Sequence, residues 1–161
     1  MPQRAYHMSA VELAEGRVLR PNGLDKVDPE IEQALEDRKP IDCLSRRNAV
    51  FCRPDLDLSK CGLTGGFLYE VEVEAPQVRD QAWIGKLEMS LFKRRNNMTQ
   101  SLYLTWSPEL LDDIAGRYWS GVLYQEPFLE LLTPTAVVIK RLSEKPVQAA
   151  DTVGGWTPPG T

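Results

Sequence analysis

The octapeptide FLYEVEVE, residues 67–74, constrains this chain more than any other stretch. Apolar and acidic side chains alternate along it, and only an extended strand sends successive side chains to opposite faces. Phe67, Tyr69, Val71 and Val73 are predicted to face a core, with Glu70, Glu72 and Glu74 in water. A strand with one wet face belongs in an antiparallel sheet or on its edge side, because a strand covered on both faces reads as a continuous apolar run. Partner strands must come from elsewhere in the chain. Four segments have the composition for it: RAYHM (4–8), AVFCR (49–53), PFLELL (127–132) and AVVIKRL (136–142), the last two separated by Thr133 and Pro134.

Helix signals lie between these strands. Ser9-Ala-Val-Glu12 is a capping-box pattern, in which serine and glutamate satisfy each other's free amides, and it predicts a short helix ending at Gly16. Asp28-Pro29-Glu30 supplies an N-cap, a first-turn proline and an acid at the positive end of the helix dipole. Arg38, Lys39 and Pro40 mark the far end, and Ile31, Ala34 and Leu35 form one narrow apolar stripe, as on a surface helix packed along one face. Ser107-Pro108-Glu109 opens another helix, carried by Leu110, Leu111 and Ile114 to Gly116 or Trp119. Residues 77–105 admit either a broken helix or a strand pair, with KRRNNMTQS (93–101) as a polar loop. The expected architecture is α+β: a single domain, residues 1–143, of split antiparallel-rich sheets flanked by short helices. Residues 144–161, rich in Gly, Pro and Thr toward their end, read as a flexible C-terminal tail that Trp156 could dock.

Length and charge exclude several classes. At 161 residues and 42% hydrophobic, the chain suits one domain that buries about 70% of its unfolded surface. No apolar run approaches the roughly 20 residues of a spanning helix, and MPQRAYHMSAVE lacks the apolar core of a signal peptide. The expectation is a soluble, cytoplasmic protein with no membrane partner. A net charge of −4 provides no global basic field for nucleic acid. Lys93, Arg94 and Arg95 remain a local candidate for phosphates, beside their plainer reading as a solvated loop. Cys43, Cys52 and Cys61 match neither a zinc motif nor a dense disulfide framework, so no metal is expected and the thiols are expected to be reduced.

The chain has a single histidine, His7, which excludes mechanisms that need two. It carries no G-x-S-x-G elbow, H-E-x-x-H pair, P-loop or G-x-G-x-x-G turn, so the common hydrolase, zincin, nucleotide triphosphatase and Rossmann readings lose their support. Glu130 stands inside the apolar run PFLELL, where a carboxylate is costly if buried without a partner. If Phe128 faces the core, Glu130 shares its parity and must line a cleft or find a partner. If Leu129 and Leu131 are the buried set, Glu130 points to solvent. A carboxylate fixed near a sugar that develops oxocarbenium character stabilises that transition state more than the ground state.

Four blocks, AYHMSAVEL (5–13), SRRNAVF (45–51), YWSG (118–121) and FLELLTPTAVVIKRL (128–142), resemble in order and spacing the blocks of ADP-ribosyltransferase-like domains, in particular small prokaryotic or phage members. The resemblance implies that fold, NAD as co-substrate and ADP-ribosyl transfer to a macromolecular acceptor, protein or nucleic acid, in the setting of a toxin or phage-conflict factor. A protein partner is compatible with it. By position it implies that His7, beside Tyr6, binds the ribose of NAD. It implies that Ser45, Arg46, Asn48 and Phe51 line the nicotinamide half of the pocket, where the planar fork of Arg46 can also face the pyrophosphate. Tyr118 is a further candidate contact, and Glu130 matches the catalytic glutamate, with Glu126 as a competitor. Two departures stand out: the second strand has no Ser-Thr-Ser, and Phe128 occupies the position two before Glu130 where a Glu or Gln would help select the acceptor. They leave arginine unsupported as acceptor. They also keep open a non-catalytic nucleotide- or partner-binding module on the same fold, an NAD glycohydrolase and an RNA 2'-phosphotransferase.

Overall fold

The computed structural model describes residues 1–56, 65–98 and 105–147. Most of the expected tail (148–161) and Cys61 lie outside the described residues. In chain order the elements are β1 (Pro2–Ser9), β2 (Val18–Leu19), α1 (Pro29–Glu36), a 3-10 turn (Arg46–Asn48), β3 (Val50–Cys52), β4 (Phe67–Glu74), β5 (Gln77–Asp80), α2 (Ala82–Arg95), α3 (Pro108–Ser120), β6 (Leu129–Thr133) and β7 (Ala136–Arg141). The architecture is α+β, with two antiparallel sheets in the orders β1-β4-β7-β2 and β3-β6-β5. The chain divides into two compact units, the first made of Met1–Pro21, Ala49–Pro76 and the chain from Leu131 onward, the second of Asn22–Asn48 and Gln77–Glu130. Among the described residues no helix is long and apolar enough to cross a membrane.

The first unit is built on β4. Its alternation places Tyr69 and Val71 at 0% exposure and Val73 at 1%, packed with Ala5, Val50, Cys52, Leu131, Ala136 and Val138. β4 is an interior strand, antiparallel to β1 on one side and to β7 on the other. Of its glutamates, Glu70 pairs with Arg4 and, at 3.6 Å, with Lys140. Leu68, on the opposite face from Tyr69, is also buried, under Val147 and with Tyr6, Met8, Leu56 and Leu142 packed around it.

The helix predicted from Ser9 to Gly16 does not form. The Ser9 hydroxyl accepts from Val11 N–H, two residues on, which closes a local turn instead. The amides that a helix would use internally go to the sheet. Leu13 N–H donates to the Tyr69 hydroxyl at 2.8 Å, and Gly16 N–H donates to the Val138 carbonyl at 2.8 Å with φ at +78°. Sheet hydrogen bonds and the packing of Leu13 on the core outcompete a marginal helix of two turns.

The second unit holds the three helices. In α1 the Asp28 side chain accepts from Glu30 N–H and Pro29 opens the first turn. Its buried stripe includes Glu32 (1% exposed) as well as Ile31, Ala34 and Leu35, so a carboxylate is carried inward with the apolar face. The indole N–H of Trp119 donates to the Leu35 carbonyl at 2.8 Å and ties α3 to α1. α3 starts with the Ser107 hydroxyl accepting from Leu110 N–H and ends at Gly121, whose φ of +74° is the left-handed cap that favours glycine.

The undecided segment resolves into β5 followed by α2. Trp83, Ile84, Leu87 and Leu91 form its buried stripe, but Met89 and Phe92 are exposed, and these two apolar residues blur the helical pattern in the sequence. Lys93, Arg94 and Arg95 are the last turn of α2, not a loop, where cations suit the negative end of the dipole. Arg95 pairs with Asp28 at 2.6 Å and Arg94 with Glu30, so two of the three charges of this candidate phosphate contact are engaged by the start of α1.

Candidate functional site

The strongest chemistry in the molecule lies inside the second unit. The turn Arg46–Asn48 is closed by Asn48 N–H to the Ser45 carbonyl, and it sends Arg46 inward, 1% exposed, while Arg47 turns outward to Asp25 at 2.7 Å. Arg46 Nε donates to Glu32 Oε1 at 2.5 Å, and its Nη1 donates to both Tyr118 Oη and Glu130 Oε1 at 2.5 Å. Tyr118 Oη in turn donates to Glu130 Oε1 at 2.6 Å. The second oxygen of Glu130 accepts from the Gln81 side-chain amide at 2.5 Å, and Glu32 Oε2 accepts from the Lys26 N–H at 3.0 Å.

Glu130 thus has the partner that an apolar strand demanded. It is 2% exposed, and the three residues that follow, Leu131, Leu132 and Thr133, are buried too, so β6 is covered on both faces there and neither parity points to solvent. Two carboxylates face one guanidinium, and the imbalance is met by Tyr118, Gln81 and backbone amides. Burial alone would lower the pKa of Arg46, but the charges of Glu130 and Glu32, with Tyr118, outweigh it and the net direction is up. The Tyr118 phenol is pushed well above its usual range, first by burial and then by the charge of Glu130, with Arg46 opposing.

That shift has a measurable consequence. The unfolded chain releases its tyrosine protons near pH ~10, whereas folded Tyr118 keeps its own. The unfolded state then binds fewer protons, so the contribution is intact below about pH 10 and is lost as pH rises further. Urea midpoints at pH 8 and 11 should fall more for the wild type than for Tyr118→Phe, which itself should cost about 1–3 kcal/mol at neutral pH. Equal falls in both proteins would contradict this placement of the phenol.

The remaining predicted residues distribute as follows. Ser45 Oγ donates to Glu36 at 2.9 Å, and Asn48 is exposed. Glu126 is exposed in the loop between α3 and β6. Tyr6, His7 and Phe51 belong to the first unit. There His7 Nδ1 donates to the Phe51 carbonyl at 2.8 Å, since a carbonyl can only accept, and Tyr6 exchanges backbone hydrogen bonds with Arg53 at 2.9 and 2.7 Å. Arg46, the group expected to face a pyrophosphate, is engaged by Glu32, Tyr118 and Glu130.

Three residues of the cluster's surroundings were missed in the sequence. Glu32 reads as an ordinary first-turn acid of α1, and its burial depends on where the helix packs. Gln81 lies in the ambiguous segment, and nothing in its neighbours marks it. Asp80, 0% exposed, accepts from Ala82 and Phe128 N–H through Oδ1 and from Tyr124 N–H through Oδ2, and so anchors the chain entering β6. It too lies in the ambiguous segment, and nothing there marks it as buried. Among the described residues no three His, Cys, Asp or Glu side chains are grouped to hold a metal ion. No family model, no curated protein and no solved structure matches this chain.

Proposed function

We propose that the chain is an ADP-ribosyltransferase-like domain that uses NAD and passes ADP-ribose to a macromolecular acceptor, with Glu130 as its key carboxylate. The observation that carries this reading is the convergence of Arg46, Tyr118 and Glu130, one from each of SRRNAVF, YWSG and FLELL, on a single carboxylate oxygen. Separate blocks meeting at one atom is what a shared site requires, and it is the joint occurrence of the blocks in order, not any one of them, that carries the resemblance. The two oxygens of Glu130 are held differently. Oε1 is fixed by the buried donors Arg46 and Tyr118, whereas Oε2 is held by the amide of partly exposed Gln81. A ribose hydroxyl that replaced the amide would meet a carboxylate already oriented, which is how preorganised charge favours an oxocarbenium-like transition state.

A second reading, a non-catalytic module on the same fold, is favoured by the 2% exposure of Glu130. A carboxylate with each oxygen hydrogen-bonded inside the protein serves the fold whether or not a substrate arrives. One experiment separates the two. With adenylate-labelled NAD and cell extract, the wild type is expected to label macromolecules and Glu130→Gln to do so about 100-fold less or worse. Label transfer undiminished in a folded Glu130→Gln protein would remove Glu130 from the mechanism. NAD bound in calorimetry without cleavage would favour the module, and free ADP-ribose without labelled acceptor would indicate hydrolysis.

A further inference from the structure

Cys43 lies in the second unit, on the segment between α1 and the 3-10 turn, and its thiol is half-buried. Cys43 Sγ lies 3.3 Å from Arg79 Nη2 and 3.8 Å from the Trp119 carbonyl oxygen. The segment is held from several sides. Gln77 Oε1 accepts from Leu44 N–H at 2.9 Å, and Lys39 Nζ donates to the Cys43 carbonyl at 3.1 Å. Arg79 is 8% exposed and its guanidinium lies over the Trp119 ring at 5.7 Å. Its Nη1 donates to the Val78 carbonyl and its Nη2 to Gln77 Oε1, but its buried Nε–H has no acceptor among the described residues. A buried cationic N–H without an acceptor is costly, and it marks a place where an anionic oxygen would be stabilised.

We propose that Cys43 is a modification site, a peroxide-oxidisable thiol whose sulfenate oxygen is received by the buried guanidinium of Arg79. The oxidant is hydrogen peroxide. The Cys43 sulfur, having released its proton to solvent, attacks one peroxide oxygen. The S–O bond forms as the O–O bond breaks, the sulfur is oxidised by two electrons, and the departing hydroxide takes up a proton and leaves as water. The new oxygen forms on the sulfur that Arg79 Nη2 already approaches, and it offers an anionic acceptor to a guanidinium whose Nε–H has none among the described residues. Partial exposure beside a cation is the setting in which cysteines react, and burial in apolar surroundings is the setting in which they do not. Cys52 provides the contrast within the same chain: it is 2% exposed, and burial pushes its thiol up to about 12. The inference stands apart from any use of NAD.

The test uses the full chain, hydrogen peroxide and a dione that traps sulfenic acids, read by peptide mass spectrometry. Cys43, Cys52 and Cys61 fall in separate tryptic peptides, so each is followed alone. In the folded protein the Cys43 peptide is expected to be trapped on the order of tenfold faster than the same peptide in the urea-unfolded chain, while Cys52 stays unlabelled. A folded-state rate equal to or below the unfolded one overturns the proposal, whatever the variants do. Arg79→Gln, checked for native circular dichroism, should bring the Cys43 rate down to the unfolded value. A folded Arg79→Gln protein that keeps the fast rate removes Arg79 from the site.

Discussion

Arg46→Met is expected to destabilise the protein by about 3–5 kcal/mol, because it leaves two buried carboxylates without their cation. Glu32 and Glu130 are 1% and 2% exposed, and the guanidinium lies 2.5 Å from each, so solvent has little access with which to compensate. Against a typical stability of about 5–15 kcal/mol, this is a large fraction of the whole. Arg46→Lys should fall between wild type and methionine, since a point charge cannot serve Glu32, Tyr118 and Glu130 with the geometry of a planar fork. Urea unfolding followed by tryptophan fluorescence gives the numbers. A triple variant with Glu32→Leu and Glu130→Leu added to Arg46→Met should recover most of the loss, as apolar replacement of buried ion pairs often does. If Arg46→Met alone costs less than about 1 kcal/mol, the size expected of a surface pair, the cluster is not buried in solution.

Asp80→Ala is expected to be nearly as severe, at about 3 kcal/mol, from three backbone N–H groups that lose one shared acceptor. The distances are 2.7 Å to Tyr124 N, 2.9 Å to Phe128 N and 3.0 Å to Ala82 N. Asp80 also stands before the first turn of α2, where Gln81 makes no side-chain capping bond, so its charge acts on the positive end of that helix. Asp80→Asn keeps the volume but turns one acceptor into a donor aimed at an N–H, and should cost about 2 kcal/mol. Amide exchange distinguishes this from general weakening: Ala82, Tyr124 and Phe128 should lose protection beyond the global change. Unaltered relative protection at these three amides would show that the carboxylate does not hold the loop. Because that loop leads directly into Glu130, Asp80 variants should also disturb the carboxylate through its backbone.

The parts of the fold legible in the sequence were those decided by near neighbours. β4 announced its inward set by alternation, and α1 and α3 announced their starts by Asp28-Pro29 and Ser107-Pro108, because a cap is a bond between residues two or three apart. The Ser9 capping box misled for the complementary reason. Its local bonds were available, but Tyr69 and Val138, more than 50 residues away in sequence, took the Leu13 and Gly16 amides that the helix would have used. α2 was ambiguous because Met89 and Phe92 put apolar side chains on its outer face, where hydrophobic periodicity assumes polar ones.

The candidate site divides along the same line. Glu130 was visible as a charge set in an apolar run, open to either face of the strand, and its oddity followed from the apolar residues on either side of it. Which groups would answer that charge was not visible. Arg46 and Arg47 are equivalent as sequence, and a short 3-10 turn decides that one enters the core and the other pairs with Asp25 outside.

By itself the sequence determined the mixed α+β character, the inward-facing set of the strand at 67–74 and the condition that Glu130, if buried, must have a partner, since each follows from the chemistry of adjacent residues. Only the tertiary structure decided that Glu32, Gln81, Arg46 and Tyr118 are those partners and that Arg79 lies on Cys43. The physical reason is that a buried charge is satisfied through space. The cost of leaving it bare is written in the local sequence, but the groups that remove that cost come from turns and helices up to 84 residues away, brought near by packing.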